Sequence, residues 1–264
     1  MKPVGIILRR EFASYFATPL AYVFIVIFLV LAGLCTFYFG ALYERGQADL
    51  LPLFSYLPWL YLFLVPAVSM RLWAEERRSG SIELLFTQPI TIWQAVLGKF
   101  LAAWAFLGIA LVLTFSIWIT VNYLGGPDNG AILAGYLGAW VMAGAFLAVG
   151  SCMSAMTNNT VIAFVLAFVV CTLFTLAGFT VVTEWSRELF AGIAKWSLWG
   201  EGMRSAVESF GAALTDGIAT LSFYTHFSNI MRGVLDLRDF LYFGLVITFF
   251  LLASTVLLDA RKSR

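Results

Sequence analysis

Six long stretches of this chain contain no Asp, Glu, Lys, Arg or His. They are Leu20–Gly40, Tyr56–Met70, Phe100–Leu124, Ile132–Met153, Thr160–Thr183 and Phe240–Leu258. A helix needs about 20 apolar residues to cross the hydrocarbon core of a bilayer, and a buried helix of a soluble protein rarely keeps such a length free of charge. Six repeats of the feature predict an all-α integral membrane protein with six transmembrane helices. The second stretch is short. It spans only if its helix begins earlier or takes in Arg71, whose side chain can reach the interface. Pro58 and Pro66 lie within it, which a membrane helix tolerates where neighbours satisfy the freed carbonyls.

Composition agrees. Apolar residues make up 61% of the chain and charged residues 12%, against about 25% charged in a soluble domain. The net charge of +1 implies no polyanionic partner and no nucleic acid. Cys35, Cys152 and Cys171 sit inside apolar stretches with no CxxC spacing and read as small packing residues, not as a metal site. Arg9 and Arg10 precede the first stretch, but that stretch is longer than the apolar region of a signal peptide, and no A-x-A site follows. It is read as a retained span.

Basic residues orient the chain. With a cytoplasmic N-terminus, the inner segments hold Lys2, Arg9, Arg10, Arg71, Arg77, Arg78, Lys99, Arg261, Lys262 and Arg264, ten of the sixteen Lys and Arg. Of the other six, all but Arg45 lie in one long outer segment, and long segments weigh little in orientation. Both termini are therefore expected in the cytoplasm, with the chain in a bacterial inner membrane.

Two absences bear on function. Proton- and ion-coupled carriers keep charged side chains at membrane depth, and the six stretches hold none. The chain also lacks the GxxxxGK[ST] phosphate loop. Gly98-Lys99 comes nearest, but Phe100 follows it and no glycine stands at the required upstream spacing. No residue is a candidate for catalysis. If ATP supplies the energy, another chain hydrolyses it.

Three segments outside the stretches carry the remaining signals. Residues 73–90 are charged at Glu75, Glu76, Arg77 and Arg78, break at Gly80, resume at Ser81 and stop at Pro89. This pattern fits a short amphipathic helix at the cytoplasmic interface, and equally a solvated connector. Residues 1–19 place Val4, Leu8, Phe12 and Tyr15 on one helical face with Arg9 and Arg10 opposite, as in an interfacial helix. Glu11 interrupts the apolar edge and is expected to pair with Arg71 or with a partner's basic group. The outer segment, 184–239, is expected to form helices near Ser186–Leu198 and Gly202–Leu214. Arg232, Asp236, Arg238 and Asp239 are expected to form an ion-pair cap over the last span. In the fourth stretch Ala131, Gly135, Ala139 and Ala143 recur every four residues, a close-packing pattern.

The run EERRSGSIELLFTQPI at 75–90, with VLGKFL at 96–101, resembles the signature of type-2 ABC exporter permeases. FYTHF at 223–227 and RGVLDLRDFLYF at 232–243 resemble the gliding-motility branch, close to the permease of nitrous-oxide-reductase maturation. The resemblance covers most of the chain in order. It implies the six-helix type-2 exporter fold, with an N-terminal interfacial helix carrying Arg9, Arg10 and Glu11 and a cytoplasmic coupling helix. Glu75, Glu76, Arg77, Arg78, Gly80, Ser81 and Glu83 then fall on the segment that faces the ATPase. The implied partners are a dimer of ABC ATPase subunits, which binds the ATP and Mg, a second permease as homodimer or heterodimer, and a periplasmic-domain subunit. No cofactor is expected on this chain. An ATP-independent scramblase or secondary carrier stands as the alternative.

Overall fold

A computed structural model describes residues 2–81, 90–196 and 201–262. Twelve α-helices lie within them: α1 Lys2–Ala17, α2 Pro19–Leu34, α3 Leu51–Ser69, α4 Arg71–Arg78, α5 Ile92–Val112, α6 Phe115–Leu124, α7 Asn129–Met156, α8 Thr160–Leu176, α9 Thr180–Trp196, α10 Glu201–Ala219, α11 Phe223–Ile230 and α12 Leu237–Lys262. Five units are long and apolar enough to cross a membrane: Pro19–Phe39, Leu51–Arg78, Ile92–Leu124, Asn129–Met156 and Leu237–Ala260. A sixth arises if α8 and α9, bent by 83° from one another, form one broken span.

The units begin and end where local chemistry dictates. Thr18 precedes Pro19 and is extended, as a residue before proline prefers, so α1 and α2 separate there. The first unit finishes as a π-turn over Cys35–Phe39. The short second stretch gains length at both ends. Its helix starts at Leu51 with Pro52 in the first turn, where a proline N–H is not needed, and resumes after Met70 as α4. Thr91 and Gln94 form a reciprocal capping box that starts α5 eight residues before the charge-free run, so Lys99 lies inside the helix. Asp128 caps α7 by accepting from the N–H groups of Gly130 and Ala131.

The fifth stretch, expected as one span over Thr160–Thr183, is broken. Gly178 sits in the break because a side chain there would meet the Ser222 Cβ at 2.6 Å. Ser222, which caps α11, also donates to the Thr175 carbonyl at 3.3 Å. The start of α11 is thus wedged against the end of α8. Helices α9 and α10 do occupy the first part of the segment expected on the outer side, longer than expected. They pack on one another, joined by Arg187–Asp216 at 2.7 Å and Ser186–Thr215 at 3.0 Å. Residues 197–200, including Leu198 and Trp199, lie outside the described residues.

Helix α7 is the axis of the bundle and contacts α3, α4, α5, α8, α11 and α12. Its glycines face several neighbours. Gly135 faces Phe54 of α3, Gly138 faces Ile230 of α11, Gly144 faces Trp104 of α5, and Gly150 faces Ser69 of α3. Each neighbour approaches where a Cβ is missing, the close-packing device of membrane helices. Between α5 and α7, Trp104 and Trp140 stack at 4.4 Å, and the indole N–H of each donates to the other's carbonyl, at 2.8 and 3.4 Å.

Candidate functional site

The charged residues at one end of the bundle converge on α4. This helix follows α3 after a break at Met70, one residue beyond the Pro66 turn, where the Met70 N–H donates to the Pro66 carbonyl at 2.9 Å. The N–H groups at the start of a helix have no partner within it. Here one side chain from α7 supplies it. Ser154 Oγ accepts from the N–H groups of Trp73 and Ala74, both at 3.1 Å, and donates to the Met70 carbonyl at 2.9 Å. One turn back on α7, Ser151 Oγ accepts from the Trp73 indole N–H at 3.1 Å. Trp73 is fully buried. The junction is therefore clamped to α7 by two serines and a tryptophan.

A lysine holds the opposite side. Lys99 of α5 is only 3% exposed. Its Nζ donates to Glu76 Oε1 at 2.6 Å and to the Leu72 carbonyl at 3.2 Å, and stands 5.1 Å from the centre of the Trp73 ring. Glu11 Oε2 of α1 lies 3.8 Å away. Such a charge is tolerated in the interior only when paired and hydrogen-bonded, and here α1 and α4 both supply carboxylates. Gly98 makes the approach of α1 possible: a Cβ there would stand 2.8 Å from Ile7 Cγ2. The Gly98-Lys99 pair, which resembles a phosphate loop in sequence, is the docking point of α1 on α5. Burial, and then the Glu11 carboxylate, hold the Tyr15 phenol above its usual range, so it stays neutral where it stacks on Phe106 at 5.0 Å.

Several expectations change. Glu11 pairs with Arg10 at 2.7 Å and with Lys99, not with Arg71. It occupies the packed face of α1 because Lys99 is opposite. Arg71 instead bonds Glu75 along α4, at 2.5 and 2.8 Å. The charge-free stretches understate the buried charge, since α5 includes Lys99. Glu76 turns inward, while Glu75 and Arg78 are exposed. Gly80 takes a φ of +72°, the left-handed conformation that lets the chain turn after α4. Ser81 Oγ donates to the Glu76 carbonyl at 3.3 Å. Glu83, with the rest of 82–89, lies outside the described residues. Arg9 is exposed. Beside Arg78, Thr157, Asn158 and Asn159 of the α7–α8 turn complete an open polar depression of about 580 Å³.

The expected ion-pair cap over the last helix is replaced by another arrangement. Among the described residues no ion pair joins Arg232 or Arg238 to Asp236 or Asp239. Asp236 Oδ1 accepts from the Arg238 backbone N–H at 2.9 Å, a helix cap. Asp239 is 4% exposed and bonds His226 Nδ1 at 2.6 Å. His226 Nε2 lies 2.9 Å from the Thr220 carbonyl, and the ring stacks on Tyr242 at 4.0 Å. The arginines stay in solvent because the one buried aspartate is already enclosed by α11. Among the described residues no group of three His, Cys, Asp or Glu side chains forms a metal site.

A family model described as ABC-2 family transporter protein matches residues 7–262. The chain belongs to that family. Comparison with curated proteins gives no match. As an ABC-2 family protein with several apolar helices of crossing length, it is a multi-pass membrane protein and a permease component of an ABC transporter, a class that works with an ABC ATPase.

Proposed function

We propose that this ABC-2 permease is driven by a separate ATPase dimer that docks on α4, the coupling helix, and that it exports a substrate or performs conformational work on a periplasmic partner. The ATPase binds the ATP and Mg. In this reading α1 lies along the cytoplasmic surface of the bacterial inner membrane, both termini are cytoplasmic, and the chain pairs with a second six-span permease, identical or related. The likeness of 223–243 to the gliding-motility branch supports a partner with a periplasmic domain.

One observation carries the reading: α4 is fixed on several sides yet keeps charge on its outer face. Lys99 ties it to α5 and, through Glu11, to α1, and Ser151 and Ser154 tie it to α7. A push on α4 must therefore reach α3, α5 and α7 together. Of the exposed charges, Glu75 is bonded to Arg71 along the helix and Arg78 remains available to a partner; a charge of that kind sets orientation and register. The polar depression beside Arg78 extends the docking face to the α7–α8 turn.

The test is co-purification of the permease with its ATPase, followed by ATPase assays of the complex carrying Arg78→Glu. Loss of stimulation with an intact complex supports docking at α4. Stimulation equal to wild type refutes it. Transport by purified permease with no ATPase present would favour the scramblase or carrier reading.

A further inference from the structure

His226 is the one histidine of the chain, and docking at α4 makes no use of it. Both of its ring nitrogens face acceptors. Nε2 stands 2.9 Å from the Thr220 carbonyl, and a carbonyl oxygen can only accept, so Nε2 carries a proton. Nδ1 stands 2.6 Å from Asp239 Oδ1, and this bond too needs a proton between its two atoms. Ring and carboxylate therefore hold two protons together, one more than a neutral imidazole beside a carboxylate.

The surroundings favour that charge. Asp239 is buried, and its other oxygen accepts from the Asn229 amide at 3.5 Å. A buried carboxylate is tolerated when a cation pairs with it. The Tyr242 ring stacks on the imidazole at 4.0 Å, within the reach at which an aromatic face attracts a cation. Asp239 and Tyr242 are the titratable side chains in contact with the ring. Helices α3, α7 and α8, which also pack on α11, contain no Asp, Glu, Lys or Arg. Arg232, Asp236 and Arg238 of the neighbouring turn are exposed, and Asp216 of α10 is exposed and paired with Arg187.

The two bonds of the ring join separate parts of the fold. Asp239 lies in the first turn of α12, and Thr220 directly follows α10, at the foot of the α9–α10 hairpin. A neutral imidazole has a single N–H and cannot donate to both. The carboxylate is the stronger acceptor and keeps it, so the bond lost with the proton is the one to Thr220. The adjoining Leu221 carbonyl accepts from the Tyr242 hydroxyl, a bond that does not depend on the state of His226. We infer that His226 is a proton-operated latch: charged, it ties the end of α10 to the start of α12, and neutral, it stays on α12 and releases α10. The tie is present at low pH and is lost as the pH rises.

The test uses the full chain in nanodiscs with isotope-labelled histidine, whose single ring gives one pair of nitrogen resonances. The titration runs from about pH 5 to about pH 9, which brackets the range where histidines change charge. Both nitrogens should be protonated at the acid end, and Nε2 should lose its proton on the way up while Nδ1 keeps its own. Hydrogen exchange, corrected for its intrinsic pH dependence, should quicken at least about ten-fold at the Thr220 and Leu221 N–H groups across the same transition, the effect of losing one charged hydrogen bond. His226→Gln, which has no ionisable ring, should show no such transition. A ring already neutral at the acid end, a ring that keeps both protons throughout, or loss of the proton from Nδ1 in place of Nε2 overturns the latch. So does exchange at the end of α10 that fails to follow the ring, or that changes with pH equally in His226→Gln.

Discussion

Replacing Lys99 with Met tests whether one buried ammonium joins three helices. Methionine keeps the unbranched, flexible form of the side chain, one atom shorter, and removes the charge with its N–H donors. The loss leaves the Leu72 carbonyl without its donor at 3.2 Å and Glu76 without its partner at 2.6 Å, and exposes Glu11 and Glu76 to mutual repulsion. Breaking a buried pair by deleting one member costs about 3–5 kcal/mol. The side chains of Glu76 and Glu11 keep 23% and 19% of their exposure, so water recovers part of that, and about 3 kcal/mol is expected. In a chain of this length that is a fall of roughly 6–12 °C in the unfolding midpoint. A double-mutant cycle with Glu76→Gln isolates the pair, since contacting residues couple by about 0.5–3 kcal/mol. Measured in one detergent at fixed protein concentration, Lys99→Met within about 0.5 kcal/mol of wild type, or a coupling near zero, refutes the joint.

Other substitutions probe the remaining contacts. Ser154→Ala strips the donors of Trp73 and Ala74 of their acceptor and should cost about 1–3 kcal/mol, with faster hydrogen exchange at the first turn of α4 as the specific sign. Gly150→Ala would place a Cβ on the Ser69 hydroxyl, 2.6 Å from Ser69 Cβ; overpacking of about 1–3 kcal/mol is expected, relieved by Ser69→Gly in a thermal-unfolding comparison. Asp239→Ala removes the carboxylate that His226 bonds and should lower stability by about 1–3 kcal/mol, whereas Arg238→Ala, on an exposed side chain, should change it by less than about 0.5 kcal/mol.

The helical units were legible because lipid imposes a one-dimensional rule: length without charge. The rule loses accuracy where a charge is buried against protein. Lys99 shows the limit. In sequence it counts as one more basic residue on the cytoplasmic side, and nothing local distinguishes it from Arg71. Only the arrival of Glu76 from α4 and Glu11 from α1, 23 and 88 positions away in the chain, makes it interior. Gly98, with no role in the sequence once the phosphate loop was ruled out, was the available hint, since a small residue beside a lysine marks a close approach. Ser151 and Ser154 gave no sign either, because serine in a membrane helix is ordinary until a helix start is found beside it. The fifth stretch hides the opposite feature: apolarity continues through Gly178, but the chain bends there, where the capping Ser222 and Thr225 of α11 lie against the glycine.

The charges of α4 divide by direction. Arg71 and Glu75 pair along the helix, Glu76 turns inward to Lys99, and Arg78 points to the open depression with Thr157 and Asn159. A motif that in sequence reads as one ATPase-facing patch therefore also attaches its own helix to the bundle, beside the docking proposed for it. Reversal of Glu76 would place a cation beside Lys99, so loss of coupling in that variant would follow from a loosened α4 even if no ATPase residue touched position 76. Arg78 is the cleaner probe. Its side chain is exposed, and loss of coupling there with an unchanged unfolding midpoint separates transmission of force from attachment of the helix that transmits it.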